Sequence, residues 1–370
     1  MKIAILTLPL HTNYGGILQA YALQTVLERM GHEVCLMEKK RKTNRFRLPL
    51  WKAPFVYGKR VAKNILGHPF PVFYEQKVSR EAPFIRQNTD KFINKYIKRR
   101  IINDYSDINE KDFDTIVVGS DQIWRPKYFP EIEHAYLDFT EGWNIKRIAY
   151  AASFGTDGWE YSPEQTEHCK DMIMHFNAVS VRESSGVALC REHFGVDAAH
   201  VLDPTMLLSK EDYIRLFEDA GTPKSKGTLL NYILDDTPEK TALIEMIAKE
   251  KSLHPFRVNA VNDINLPIER RMAPFVEQWL RGFYDAEFVV TDSFHACVFS
   301  IIFNKPFIAI GNAGRGMSRF TSLLSMFGLE DRLTTGKITF KLNERDAVCT
   351  NKKLISLRQK SMDFLKKING

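Results

Sequence analysis

The sequence contains few cysteines and no spacing that would link them to one another. Five of the 370 residues are cysteine, and they are widely separated with no C-x-x-C pair: Cys35, Cys169, Cys190, Cys297 and Cys349. An odd, scattered set of this kind argues against a disulfide framework and against a zinc site. We therefore expect the chain to work in a reducing compartment, the cytoplasm.

Long hydrophobic runs, internal repeats and low-complexity segments are also missing. No apolar stretch approaches the roughly twenty residues that span a bilayer, and the short apolar run at 3–10 continues without a signal-peptide cleavage site. With 44% hydrophobic and 26% charged residues, the composition is typical of globular proteins. The length suits two α/β domains, and any membrane contact must be peripheral.

Acidic residues are absent from one long segment that is rich in basic and aromatic residues. Residues 39–63 contain ten Lys or Arg and no Asp or Glu, whereas the whole chain has a net charge of only +7. Trp51 and Phe55 lie within the segment, and further aromatic residues follow as far as Tyr74. Such a composition suits an anionic membrane face or a polyanionic ligand, but it also suits a solvated charged surface, and both interpretations stay open. No nucleic-acid-binding motif accompanies the charge.

The remaining sequence alternates between short apolar runs and amphipathic stretches, which predicts parallel sheets covered by helices. The predicted strands are 2–8, 33–38, 113–118, 147–152, 178–181, 199–202, 228–234, 256–259, 286–291 and 306–310. The predicted helices are 17–30, 162–176, 184–194, 209–219, 238–251, 274–283 and 352–368. We expect an N-terminal Rossmann-like domain over 1–202 with an insertion at 39–104, a C-terminal Rossmann-like domain over 203–350, and a helix at 351–370 that returns to the first domain. Asp203 and Pro204 are expected to form the crossover.

Four loops follow predicted strands, where open α/β sheets bind their ligands. They lie at 13–16, 119–124, 180–183 and 291–295 and offer glycines, hydroxyls, carboxylates and a guanidinium. The candidate substrate-binding residues in them are Asn13, Tyr14, Gly15, Gly16, Ser120, Asp121, Arg182 and Ser293. A tight turn, a helix cap or, for Arg182, a salt bridge with Glu183 or another carboxylate would be the structural alternatives.

His295 is the best candidate for a catalytic residue. It follows a predicted strand at the start of a helix, and histidine can exchange protons near neutral pH. A lone histidine is more often structural, but the next loop, 311–319, is rich in glycine and carries Arg315 and Arg319. A proton-exchanging group and two anion ligands would therefore converge. The start of a helix favours a neutral imidazole, and so a general base.

Five motifs occur in an order that resembles one enzyme family. They are NYGG with LQAYAL at 13–23, VGSDQIW at 118–124, SVRE at 180–183, DPT at 203–205 and TDSFHA at 291–296. From residue 1 to about residue 327 the sequence resembles the polysaccharide pyruvyl transferases. The resemblance implies a GT-B-like pair of Rossmann-type domains with a cleft between them, and transfer of pyruvate from phosphoenolpyruvate to hydroxyls of a cell-surface polysaccharide or its precursor as a ketal.

The same resemblance assigns roles to individual residues. It implies that His295 is catalytic and that Arg182 and Arg315 bind the donor. Many relatives have a basic or aliphatic residue where Phe294 stands, a difference that bears on the acceptor. Such a reaction needs neither a metal nor an organic cofactor. Its partners would be phosphoenolpyruvate, a sugar or lipid-linked oligosaccharide, and the inner membrane face through residues 39–74.

Two other functions fit the same features. A GT-B glycosyltransferase would use the cleft and its arginines to hold the diphosphate of a nucleotide sugar. A carbohydrate-binding scaffold in polysaccharide assembly would bind sugar without turnover. A comparison of phosphoenolpyruvate binding with nucleotide-sugar binding distinguishes the two enzymes. Removal of His295 distinguishes an enzyme from the scaffold, because only the scaffold would keep its function.

Overall fold

The structure is a computed structural model that describes residues 1–40, 49, 51–67, 70–261, 263–311, 316–334 and 347–369, without the side chains of 347–350. No helix among these residues is long and apolar enough to cross a membrane.

The N-terminal half forms a sheet in which every strand pair is parallel. Its strands are β1 (Lys2–Leu6), β2 (Glu33–Lys39), β3 (Arg99–Ile102), β4 (Thr115–Val118), β5 (Lys146–Ala152), β6 (Ala178–Val181) and β7 (Ala199–His200). Its helices are α1 (Tyr14–Arg29), α2 (Ala53–Ile65), α3 (Tyr74–Ile85), α4 (Gln87–Tyr96), α5 (Pro163–Ile173) and α6 (Ser184–Leu189). The strand order is β3-β2-β1-β4-β5-β6-β7. Successive strands are therefore added towards one edge of the sheet up to β3 and towards the other edge from β4 onwards, and the order reverses between β1 and β4.

The C-terminal half forms a second parallel sheet. Its strands are β8 (Leu229–Tyr232), β9 (Pro255–Phe256), β10 (Phe288–Thr291), β11 (Phe307–Ile310) and β12 (Leu333–Thr334). The helices of this half are α7 (Lys210–Asp219), α8 (Pro238–Lys251), α9 (Ile268–Arg271), α10 (Val276–Asp285), α11 (Phe294–Ile302), α12 (Met317–Phe327) and α13 (Ala347–Leu365). With the order β12-β11-β10-β8-β9, the chain has the two Rossmann-like sheets and the GT-B-like architecture that the sequence predicts.

Local sequence signals explain where several of these elements begin. Ser162 caps α5 by accepting a hydrogen bond from the Gln165 amide, and the Gln165 side chain accepts one from the Ser162 amide. The same reciprocal pair forms between Ser209 and Asp212 at the start of α7. Thr115–Val118 is buried along its whole length, as expected for a central strand covered by helices on both faces.

The two halves share one apolar core. The Tyr14 ring at the start of α1 stacks on Trp279 of α10, with centroids 5.4 Å apart. In the C-terminal helix α13, Ser361 accepts a 3.0 Å hydrogen bond from the Leu202 amide, and the Phe364 ring contacts Tyr150. The last helix therefore lies against the first sheet. The loops after β1, β4 and β10 face one another.

The insertion predicted over 39–104 is shorter in the structure. Strand β3 pairs with β2 as the edge of the first sheet, and α4 buries Phe92 and Ile93 in the shared core. Among the described elements of 39–104, only α2 and α3 have no buried residue. The charged residues around Phe92 and Ile101 interrupt the apolar periodicity, so the sequence alone does not predict this strand and helix.

Candidate active site

His295 lies in the first turn of α11, directly after β10. Every residue of this helix is buried, which fixes the position of its first turn. The imidazole lies against Gly15, in the first turn of α1, and a Cβ at Gly15 would overlap the ring. The close approach of two helix N-termini, one from each domain, thus requires glycine at this position.

Asp203 is the centre of a buried polar cluster around His295. Its Oδ2 lies 3.5 Å from Nε2 of His295 and accepts a 2.8 Å hydrogen bond from Nη1 of Arg182. Its Oδ1 accepts hydrogen bonds from the amide and the hydroxyl of Thr205, at 3.0 and 2.7 Å. Because both oxygens are held, the carboxylate offers His295 a fixed negative partner.

Arg182 belongs to this cluster, beneath the surface that substrates can reach. Its guanidinium is paired with Asp203 and, at 3.4 Å, with Asp121, and its side chain is only 2% exposed. The alternative of a salt bridge with another carboxylate therefore describes the structure, and donor binding by Arg182 stays a prediction. Glu183 is engaged elsewhere, since its Oε1 accepts hydrogen bonds from the Phe154 and Gly155 amides.

The charges of the cluster shift the pKa values of both acids downward. Burial alone would raise the pKa of Asp203, but His295 and Arg182 outweigh it and hold that pKa below its usual value. For Asp121, burial is again opposed by Arg182 and His295, and the pKa is lowered. Both carboxylates are therefore ionised at neutral pH.

Arg319 brings a second cation to the site from the first turn of α12. It is buried, and burial together with the nearby Arg182 lowers its pKa to about 10, which leaves it charged at neutral pH. The Phe294 ring lies 4.6 Å from the Arg182 guanidinium and 5.6 Å from that of Arg319. Phe294 thus stabilises both cations through its ring.

A cavity of about 380 Å³ opens above this cluster between the two domains. Six candidate residues from the sequence line it, namely Asn13, Gly15, Asp121, Ser293, His295 and Arg319. The N-terminal domain adds polar side chains, among them His11, Thr12, Gln122 and Tyr128, and the C-terminal domain adds Tyr232 and Trp279. We call this space the active-site cavity.

Other candidates lie outside the cavity. The Tyr14 hydroxyl donates to the Pro274 carbonyl at 2.8 Å, and Gly16 lies behind Asn13. Ser120 is fully buried, and its hydroxyl donates to the Ala151 carbonyl. Trp124, at the end of the candidate loop 119–124, is fully buried and stacks on Tyr136. Arg315 lies outside the described residues.

Sequence reasoning missed the role of Asp203 and the contribution of Tyr128. The pair of Asp203 and Pro204 predicts a crossover, yet Asp203 also follows the end of β7, as the other site loops follow their strands. Tyr128 follows no strand directly, so no local pattern marked it. A search for polar residues after every strand, short ones included, would have found Asp203.

Comparisons with known proteins agree with the sequence motifs. A family model described as polysaccharide pyruvyl transferase matches residues 13–314, which is more than half of the chain. No curated protein matches the sequence.

Similar solved structures include two epimerases. UDP-GlcNAc 2-epimerase from Methanocaldococcus jannaschii is 12% identical, with 97% of this chain and 92% of that chain covered and a TM-score of 0.44. UDP-GlcNAc 2-epimerase from Neisseria meningitidis is 8% identical, with 100% and 94% covered and a TM-score of 0.45. MurG from Acinetobacter baumannii is 10% identical, with 99% and 94% covered and a TM-score of 0.38.

Proposed function

The chain belongs to the polysaccharide pyruvyl transferase family, and is therefore a transferase; from this we propose that it transfers pyruvate from phosphoenolpyruvate to two hydroxyls of one sugar as a ketal. The observation that carries the proposal is that His295, with the ionised Asp203 buried beside it, and Arg319 meet at one cavity between the domains. The reaction needs a group that exchanges protons and cationic groups that hold anions, and the described lining of this cavity offers His295 for the first and Arg319 for the second.

The proposed reaction balances without a metal or an organic cofactor. A proton adds to the methylene carbon of the donor, and the adjacent carbon, which becomes oxocarbenium-like, forms a C–O bond to the first hydroxyl. Its C–O bond to phosphate then breaks, and the second hydroxyl closes the ketal. The two hydroxyls together lose two protons. The proton gained by the new methyl group accounts for one of them, and the released phosphate takes up the other.

We infer that His295 moves these protons. Its Nδ1 edge lies against Gly15, which lines the cavity, and its Nε2 points to Asp203. A carboxylate partner orients the ring and stabilises the charge that the ring gains with a proton. We therefore assign His295 both steps, giving a proton to the donor carbon and accepting one from a sugar hydroxyl, with Asp203 as the positioning residue.

Arg319 is the described residue best suited to bind the donor. A buried guanidinium that lines a cavity forms strong, charge-assisted hydrogen bonds with phosphate or carboxylate oxygens. The first turns of α11 and α12 both reach the same region, and their free N–H groups favour anions. Arg315, implied by the family resemblance, remains part of the proposal as a second anion ligand.

The acceptor sugar would lie on the opposite, N-terminal side of the cavity. Thr12, Asn13, Gln122 and Tyr128 line that side, and they offer hydroxyl and amide groups that hydrogen-bond to sugar hydroxyls. Tyr128 is 41% exposed, so its ring is also available for stacking against a sugar.

The donor can be tested without knowing the acceptor. We expect phosphoenolpyruvate to raise the melting temperature of the protein and UDP-GlcNAc to have no effect, because a ligand that binds only the folded state stabilises it. Arg319→Gln should remove the effect of phosphoenolpyruvate, whereas Arg191→Gln, a change in an exposed salt bridge with Asp197, should keep it. Stabilisation by UDP-GlcNAc alone would favour the glycosyltransferase and contradict the proposal.

We also propose that the enzyme contacts an anionic membrane face through α2. No residue of this helix is buried, and Trp51, Phe55, Ile65 and Leu66 are 72–80% exposed. Exposed apolar side chains on this scale usually mark an interaction surface.

The charges on α2 select an anionic partner. Lys52, Lys59 and Lys63 are exposed, whereas Arg60 turns inward to an ion pair with Glu75. The segment 39–74 contains no acidic residue. A helix with this composition lies in the membrane interface, with its apolar side chains inserted and its lysines near lipid phosphates.

A further inference from the structure

A second cavity lies beside the active-site cavity, at the carboxyl ends of β1 and β2. It encloses about 390 Å³ and lies entirely in the N-terminal domain. Leu8 and Tyr128 line both cavities, so the two are neighbours across these side chains. A ligand in the active-site cavity could extend past Tyr128 into the second cavity.

The walls of the second cavity are mainly apolar. Leu36 and Met37 of β2 line the cavity together with Tyr105, Phe129 and Pro130. Ligand sites in proteins have this size and are lined in this way, by apolar and aromatic side chains with few polar groups. The space is therefore large enough, and apolar enough, to hold part of a substrate.

Three charged groups along the wall, Glu38, Lys39 and Glu131, are already paired within the protein, whereas Lys40 of the same lining is exposed to solvent. The Lys39 ammonium lies 3.1 Å from Asp104 and 3.0 Å from Glu131, and Glu38 is paired with Arg99 at 2.9 Å. Thr7 donates its hydroxyl hydrogen to the Ser120 carbonyl. A phosphate or carboxylate would have to compete with these partners, whereas a neutral apolar group would not.

We propose that the second cavity binds a hydrocarbon chain carried by the acceptor, next to the sugar that receives pyruvate. This inference rests on the proposed function, since it places the acceptor sugar in the active-site cavity. The substrate class is then an amphipathic, chain-bearing saccharide and not a free sugar. The polar cavity selects the sugar, and the apolar cavity adds affinity through the chain.

The test compares two probes by calorimetry in the absence of donor. Octyl glucoside, below its micelle concentration, should bind at least tenfold more tightly than methyl glucoside, because each buried methylene contributes about fourfold in affinity. Pro130 is exposed at the cavity wall, so Pro130→Glu should keep the fold while placing a carboxylate against the chain. This variant should lose most of the advantage of the octyl probe.

Pro223→Glu makes the same change at an exposed proline outside both cavities and should bind octyl glucoside as the wild type does. Equal affinity for the two glucosides would overturn the proposal. So would tight octyl binding that Pro130→Glu leaves unchanged, since the chain would then lie elsewhere, for example on α2. Stabilisation by phosphoenolpyruvate is measured separately, so failure of the donor assignment and failure of this inference give different results.

Discussion

At the scale of single residues, the account depends first on His295. If this histidine moves protons, His295→Ala should lower kcat by about 10² to 10⁴-fold, the usual contribution of a general acid or base. The melting temperature should change little, since Asp203 keeps its ion pair with Arg182. His254 is exposed, so His254→Ala serves as the control. A kcat for His295→Ala within a few-fold of wild type would remove the histidine from the reaction.

Gly15 tests the geometry of the same site. A Cβ at this position would overlap the His295 imidazole, so Gly15→Ala must displace the ring. We expect kcat to fall about 100-fold, as displacements near 1 Å can cause. Gly58→Ala is the matched control, because a Cβ at Gly58 meets no atom within 4 Å. If Gly15→Ala has normal turnover, the close contact between α1 and α11 does not position the catalytic group.

Asp203 predicts a dependence of stability on pH. Its pKa in the folded protein lies below the usual value, so its stabilising effect is complete above about pH 4, the unfolded value, and is lost as pH falls further. At pH 7 we expect Asp203→Asn to lower the free energy of unfolding by about 3 kcal/mol or more, because Arg182 loses a buried partner.

That difference should shrink as the pH falls below about 4, because the carboxylate then becomes protonated in the unfolded chain while it stays ionised in the folded protein. Denaturant unfolding of both proteins at several pH values measures it. A difference that stays constant between neutral pH and the acid limit would show that the charge of Asp203 does not stabilise the fold.

The sequence identified residues by their position after strands, but it could not identify their partners. His295, Asn13 and Asp121 were predicted at the site and line its cavity. Arg182 was predicted as a ligand for the donor, yet two carboxylates from distant segments, Asp121 and Asp203, occupy its guanidinium. Such pairing depends on three loops meeting in space, which no local pattern records.

At the scale of elements, α2 provides a separate prediction. Each lysine near an anionic surface contributes about 1 kcal/mol to membrane binding. The double change Lys59→Gln with Lys63→Gln should therefore lower the affinity for anionic vesicles, measured by co-sedimentation at low salt, by roughly 30-fold. Lys353 and Lys360 of α13 are exposed, and the same double change there is the control. High salt should release the wild type.

Two results would contradict the membrane proposal. One is wild-type protein that stays in the supernatant with anionic vesicles at low salt. The other is equal sedimentation of the α2 variant and the control. If the wild type instead forms a dimer in size-exclusion chromatography that Phe55→Ser disrupts, a second copy of the chain covers the exposed surface of α2.

Most elements could be predicted because their local signals agree with their tertiary roles. The strand at 178–181 and the helix at 238–251 match the structure at both ends. The missed elements include α4 and β3, whose apolar residues are too few and too closely mixed with charges to show a period. Their place in the fold comes from pairing with β2 and packing on α1, which are tertiary contacts.

At the scale of the whole molecule, the two parallel sheets follow from the alternation of strands and helices, but the cavities between and beside them do not. The active-site cavity needs β1, β4 and β10 to end facing one another, and the second cavity needs the ends of β1 and β2 to lie near the loop at 128–131. Chain order alone does not give these distances. The family resemblance predicted the cleft, and the structure adds which side chains meet in it.

A crystal structure with phosphoenolpyruvate bound tests the central claim most directly. The account predicts that the donor occupies the active-site cavity with an anionic group on Arg319 and its methylene carbon about 3–3.5 Å from the His295 ring, the distance at which reacting groups meet. A donor bound away from His295, or an empty cavity at saturating phosphoenolpyruvate when UDP-GlcNAc does occupy it, would contradict the account.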